Sequence, residues 1–82
     1  VLTDLAMSPD GADLAYRLRH YSELSAERGR RDSLHIASTD DLSRAVEIAR
    51  GTPGDGLTWA PDSRWIFAGI RSRIAALSAD GR

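Results

Sequence analysis

The chain has 82 residues, 41% of them hydrophobic and 28% charged, with a formal net charge of -1. Eleven basic residues, all arginine, are spread along the chain against twelve acids, which argues against a nucleic-acid partner, because such domains gather a basic surplus on one face. No apolar run approaches the ~20 residues that span a bilayer, and the absence of cysteine removes disulfide frameworks and thiolate metal sites, so the redox compartment stays open.

A first strand is predicted over residues 2–7. Met7-Ser8-Pro9-Asp10-Gly11 then reads as a turn: Pro pre-sets φ, Asp bonds back to nearby N–H groups, and Gly takes the left-handed conformation. A second strand over 13–19 carries Leu14-Ala15-Tyr16. Residues 19–33 are polar, charged and without strand periodicity, and read as a loop. Within it, Tyr21 to Arg31 holds Leu24 and Ala26 among helix formers, with Ser22 or Ser25 as caps, so a helical turn is the competing reading. A third strand over 33–38 leads through Asp40-Asp41 to a fourth over 44–49. There Val46 and Ile48 alternate with Ala45, Glu47 and Ala49, the pattern of a half-exposed edge.

Gly51-Thr52-Pro53-Gly54-Asp55-Gly56 is loop chemistry and divides the chain. Beyond it strands are expected over 56–59, 64–70 and 73–78, with a second turn at Trp59-Ala60-Pro61-Asp62-Ser63. Trp65-Ile66-Phe67-Ala68-Gly69-Ile70 is apolar on both faces, as for a strand packed between two sheets. Pro61 follows Pro9 by 52 residues, whereas Ser78 follows Ser38 by 40, so the first unit holds 12 extra residues between its second and third strands. A four-stranded unit of ~40 residues is the size of one propeller blade.

These turns resemble the Pro-Asp propeller repeat, in which Trp-Ser-Pro-Asp-Gly precedes an apolar strand. The repeat belongs to TolB-type periplasmic propellers and to the N-terminal propellers of S9 (prolyl oligopeptidase-type) serine peptidases. The order Ser8-Pro9-Asp10-Gly11, Leu14-Ala15-Tyr16, the charged stretch Glu27 to Asp32, then Leu34-His35-Ile36 is similar to the opening blade of acylaminoacyl-peptidase-like members. Ala60 and Ser63 depart from the Ser and Gly usual at those places, and Arg71-Ser72 leaves only a tight connection.

The resemblance implies an all-β chain of antiparallel blades: residues 1–50 a first blade with a charged loop over 19–33, and 51–82 a second lacking its last strand. Val1 in place of methionine and Arg82 just past a turn suggest a piece of something longer. Pro9, Asp10, Pro61 and Asp62 are expected at turns, with Tyr16, Trp59, Trp65 and Phe67 in the core between blades. By the same resemblance the parent is a serine peptidase whose propeller gates short peptide substrates to a C-terminal hydrolase domain, and the fragment itself is no enzyme. The alternative is a TolB-like protein-binding propeller without catalysis, and a third reading is a ligand-sensing domain of a receptor or kinase. A cytoplasmic location is expected, with a periplasmic or secreted one as alternative. Two blades cannot close a ring, so the isolated chain is expected to self-associate or fold only marginally.

No catalytic, cofactor-binding or metal-binding residue is expected here. The chain lacks the Gly-x-Ser-x-Gly elbow of an α/β-hydrolase. Ser8 reads as a turn hydroxyl, and His20 and His35 as surface or sheet histidines. Asp40-Asp41 lacks the Asp-x-Asp-x-Asp-Gly spacing of a calcium loop. Gly51 to Gly56 lacks the Gly-Lys-Ser/Thr ending of a phosphate loop. Arg28-Gly29-Arg30-Arg31 is offset by Glu27 and Asp32 and reads as a solvated loop.

Overall fold

The computed structural model describes residues 2–20, 31–50 and 54–79. Among the described residues seven strands follow one another, β1 Leu2–Met7, β2 Asp13–His20, β3 Arg31–Ser38, β4 Asp41–Arg50, β5 Leu57–Trp59, β6 Trp65–Ile70 and β7 Arg73–Ser78. They form a four-stranded sheet in the order β1-β2-β3-β4 and a three-stranded sheet in the order β5-β6-β7, each an antiparallel meander. The described residues contain no helix, and the chain is all-β as expected.

The two Pro-Asp turns close with the same bonds. Ser8 N–H donates to the Asp13 carbonyl at 2.8 Å and Gly11 N–H to the Ser8 carbonyl at 2.9 Å. Fifty-two residues on, Ala60 N–H donates to the Trp65 carbonyl at 2.8 Å and Ser63 N–H to the Ala60 carbonyl at 3.1 Å. Asp10 and Asp62 each accept from the N–H two residues ahead, of Ala12 at 3.0 Å and of Arg64 at 2.9 Å. Gly11 has φ 74° and Ser63 φ 60°, so the serine adopts the left-handed conformation glycine supplies in the first turn. The tight connection Arg71-Ser72 has φ of 50° and 65°, the signature of a type I′ hairpin turn.

The core lies between the sheets. Ala15 and Ile36 of the first meet Trp59 and Ile66 of the second, flanked by Ala6, Ile48, Leu57 and Ala79. Ile66 is wholly buried, a burial that contributes about 1.5–3 kcal/mol. β5 runs beside β1, and the indole N–H of Trp59 donates to the Ala6 carbonyl at 2.9 Å.

Three expectations change. The loop expected over 19–33 is shorter, because Arg19 and Ser33 lie in the strands also expected for them and β2 and β3 continue to His20 and from Arg31, with Arg19 opposite Asp32. Those charges are paired across the buried face, so polarity hid the strand; residues 21–30, with the helical alternative, lie outside the described residues. In β4 a register shift places Glu47 opposite His35 but Ala49 opposite Leu34, which breaks the expected strict alternation. Finally, only Trp59 of the four aromatic core candidates is buried. Trp65 and Phe67 are 46% and 42% exposed on the outward face of β6, and Tyr16 is half-buried on the outward face of the first sheet.

Candidate functional site

At one end of the seam between the sheets the apolar core gives way to charge. Alternation along β2 carries Arg17 and Arg19 onto the same inward face as Ala15. Arg17 is fully buried and donates to Asp4 of β1 at 3.1 Å and to the Gly69 carbonyl of β6 at 2.8 Å. Asp32 of β3, also buried, accepts from Arg19 Nε at 3.2 Å and from the Gly54 N–H at 3.3 Å. Arg19 reaches across to the Gly54 carbonyl at 3.1 Å and to Asp55 at 3.3 Å. Asp4 also takes the Gly56 N–H at 3.3 Å. Arg17 Nε stands 4.0 Å from Asp32 and makes no hydrogen bond.

Backbones meet here as well. A Cβ on Gly54 would strike the Gly69 carbonyl, and one on Gly69 would strike the Asp55 carbonyl. Glycine at both positions lets residues 54–55 lie close against β6, where Arg17 takes the Gly69 carbonyl and Arg19 that of Gly54. This cluster is a clamp: its cations and anions are committed to one another and to main-chain groups. The sequence suggested none of it, since Arg17, Arg19 and Asp32 are separated by up to 15 residues and their charges read as surface.

The candidates singled out in the sequence fall elsewhere. Ser8 is buried in the first turn, where its hydroxyl donates to Asp10 at 2.6 Å and accepts from the Asp13 N–H at 3.0 Å. The Ser8 hydroxyl and the Ala12 N–H hold the Asp10 carboxyl below its ordinary range. Asp40 in the β3–β4 turn donates its N–H to the Ser38 hydroxyl, and Asp41 at the start of β4 accepts from the Ser43 N–H. Arg28, Gly29 and Arg30 lie outside the described residues, as do Gly51 to Pro53 and the side chain of His20.

His35 has more company than a lone sheet histidine. Its ring stacks on Tyr16 with centroids 5.2 Å apart and an interplanar angle of 13°, Ser33 Oγ lies 2.8 Å from its Nε2, and Glu47 stands opposite. Arg50 holds the Glu47 carboxyl below its ordinary range, with desolvation opposing and His35 contributing less. A hydroxyl, an imidazole and a carboxylate thus line one face, the residue types of a nucleophilic relay. The geometry is nevertheless structural. Ser33 is buried within β3, whose two edges are both occupied by β2 and β4, so its neighbouring amides are spent in the ladder instead of facing a developing oxyanion.

Among the described residues no group of three or more His, Asp or Glu side chains is placed to hold a metal ion. Two cavities open along the mouth of the seam and share Asp13 and Ala79. One of about 480 Å³ is lined by Ser63, Arg64, Trp65 and Ser78, and one of about 260 Å³ by Ile36, Ser38, Arg44 and Val46. Compared with protein-family models, curated proteins and solved structures, the chain matches none.

Proposed function

We propose that the two sheets are consecutive blades of a β-propeller, and that the propeller gates a serine peptidase of the S9 kind without taking part in bond breaking. The duplicated Pro-Asp turn carries this reading: the same pair of main-chain bonds, and the same Asp-to-N–H bond, recur at an offset of 52 residues. The meander order of both sheets and the neighbouring first strands, β1 and β5, support it. In such an arrangement blades share faces around an axis lined by their first strands, and repeated packing supplies the core. The gate's contribution is steric, admitting short peptides to a hydrolase domain that these residues do not form.

Peptide hydrolysis tests the reading. The pure 82-residue chain is expected to cleave nothing, while the protein encoded by the whole gene is expected to cleave short peptides and spare folded proteins. Hydrolysis by the 82-residue chain, or none by the whole protein, would overturn it.

A further inference from the structure

The two sheets repeat each other pair for pair. Leu5↔Tyr16, Ala6↔Ala15 and Met7↔Leu14 of β1 and β2 recur 52 residues on as Leu57↔Ala68, Thr58↔Phe67 and Trp59↔Ile66. Leu14↔Ala37, Ala15↔Ile36 and Arg17↔Leu34 of β2 and β3 recur as Ile66↔Leu77, Phe67↔Ala76 and Gly69↔Ile74, at offsets of 52 and 40. Matched by these pairs, the seam face of each sheet corresponds to the outward face of the other. Ala15 and Ile36, in the seam, correspond to Phe67 and Ala76 on the outward face of the second sheet. Trp59 and Ile66, also in the seam, correspond to Met7 and Leu14 on the outward face of the first.

Size follows the same exchange. In the seam, small Ala15 and Ile36 meet large Trp59 and Ile66. On the outward faces the large member is Phe67, beside Ala76, and its counterparts are Met7 and Leu14, so the four fill a similar volume. Facing layers of alternating large and small residues interdigitate. Leu5, Met7, Trp65, Phe67 and Ile74 stand exposed on those two faces. The polar bonds of the seam are not repeated. Asp4, Arg17 and Asp32 correspond to Gly56, Gly69 and Ser72, and Trp59, whose indole holds the Ala6 carbonyl, corresponds to Met7. Only the apolar contact recurs, so a second seam built from the outward faces is weaker than the first and reversible.

We propose that copies of this chain bind one another head to tail. The outward face of the second sheet of one copy lies on the outward face of the first sheet of the next, in the register of the internal seam. Such an interface is heterologous, so the stack grows unless its rotation closes a ring. Pairing an outward face with itself repeats no contact of the chain, and on the second sheet it sets Trp65, Phe67 and Ile74 bulk on bulk. The inference rests on the reading of the sheets as repeated blades and not on the peptidase. The match lies between faces of this chain, and sheets flanking these two in a longer protein would take the copy's place.

The test is sedimentation of two variants of the 82-residue chain, Phe67→Glu, which blocks the outward face of the second sheet, and Met7→Glu, which blocks that of the first. Each alone is expected to self-associate at least about tenfold more weakly than the unaltered chain, because a carboxylate in the contact finds no partner. Mixed in equal amounts they are expected to form a one-to-one heterodimer that does not grow, since each brings the face the other lacks. Either variant associating alone as the unaltered chain does would mean that one face pairs with itself, and would overturn the proposal. So would a mixture that stays monomeric. A benzophenone in place of the Phe67 ring reads the same contact without an added charge. Crosslinks to Leu5, Met7 or Leu14 of another copy are expected, and crosslinks to its β6 or β7 would overturn the proposal. Failure of the peptidase reading shows instead in peptide hydrolysis by the whole protein, which these readouts do not touch.

Discussion

The guanidinium of Arg17, in the first sheet, donates a 2.8 Å hydrogen bond to the Gly69 carbonyl in the second. A fully buried arginine has lost its hydration, and its attraction to Asp4 and Asp32 repays that loss only while every partner stays in place. The clamp therefore adds less to net stability than its number of bonds suggests, and breaking it costs far more. It also fixes how the two sheets are set against each other, since the partners come from β1, β3 and β6.

Arg17→Met is expected to destabilise by about 3–5 kcal/mol, leaving Asp4 without its buried cation and the Gly69 carbonyl without its donor. That is a large share of the ~4–12 kcal/mol typical of a domain this size. Urea unfolding followed by circular dichroism checks it against Arg44→Met, which removes an exposed ion pair and is expected to change stability by less than ~0.5 kcal/mol. Equal losses would show that the buried guanidinium is dispensable.

Gly69→Ala and Gly11→Ala separate two reasons for glycine. At Gly69 the new methyl meets the Asp55 carbonyl, so residues 54–56 must move away from β6 and carry with them the Gly54 and Asp55 groups that Arg19 holds. At Gly11 there is open space, and only the positive φ resists, at a cost of about 1–2 kcal/mol. The first variant is expected to lose cooperative unfolding and the second to keep it at a lower midpoint. Thermal melts of both read the difference.

Asp10 links stability to pH. Its carboxyl is held low by the Ser8 hydroxyl and the Ala12 N–H, so the folded value lies below the unfolded one. The contribution is fully present above the ordinary carboxylate range and is lost as pH falls through the lowered folded value. Asp10→Asn is expected to flatten the acid limb of a stability-against-pH curve and leave the neutral plateau little changed in slope. An identical acid limb in the variant would assign the effect to other carboxylates.

The outward face of β6 exposes Trp65 and Phe67, with Ile74 beside them on β7, an apolar patch of the kind that drives association. The chain is expected to sediment as a concentration-dependent mixture, and Phe67→Glu to shift it toward monomer. A chain that sediments as a monomer at every concentration would contradict the expectation.

The meander was legible because turn chemistry is local. Pro, Asp and Gly specify a corner within four residues, and Ser63 departs from the pattern without losing it, since a short polar side chain tolerates positive φ. The clamp was not legible, because Arg17, Asp32 and Gly69 act only after two sheets have stacked, and a buried charge looks in sequence like a solvated one. The facing of Trp65 and Phe67 failed for a related reason. Alternation puts residues of β6 on opposite faces, but only packing decides which face is covered.

The measurement that bears most directly on the propeller reading is the sequence of the source gene onward from the codon for Arg82. The account expects more Pro-Asp repeats leading into a Gly-x-Ser-x-Gly elbow, with Asp and His beyond it. Repeats that stop without a hydrolase would contradict the peptidase reading and leave a binding propeller of the TolB kind, its partner to be found by pull-down.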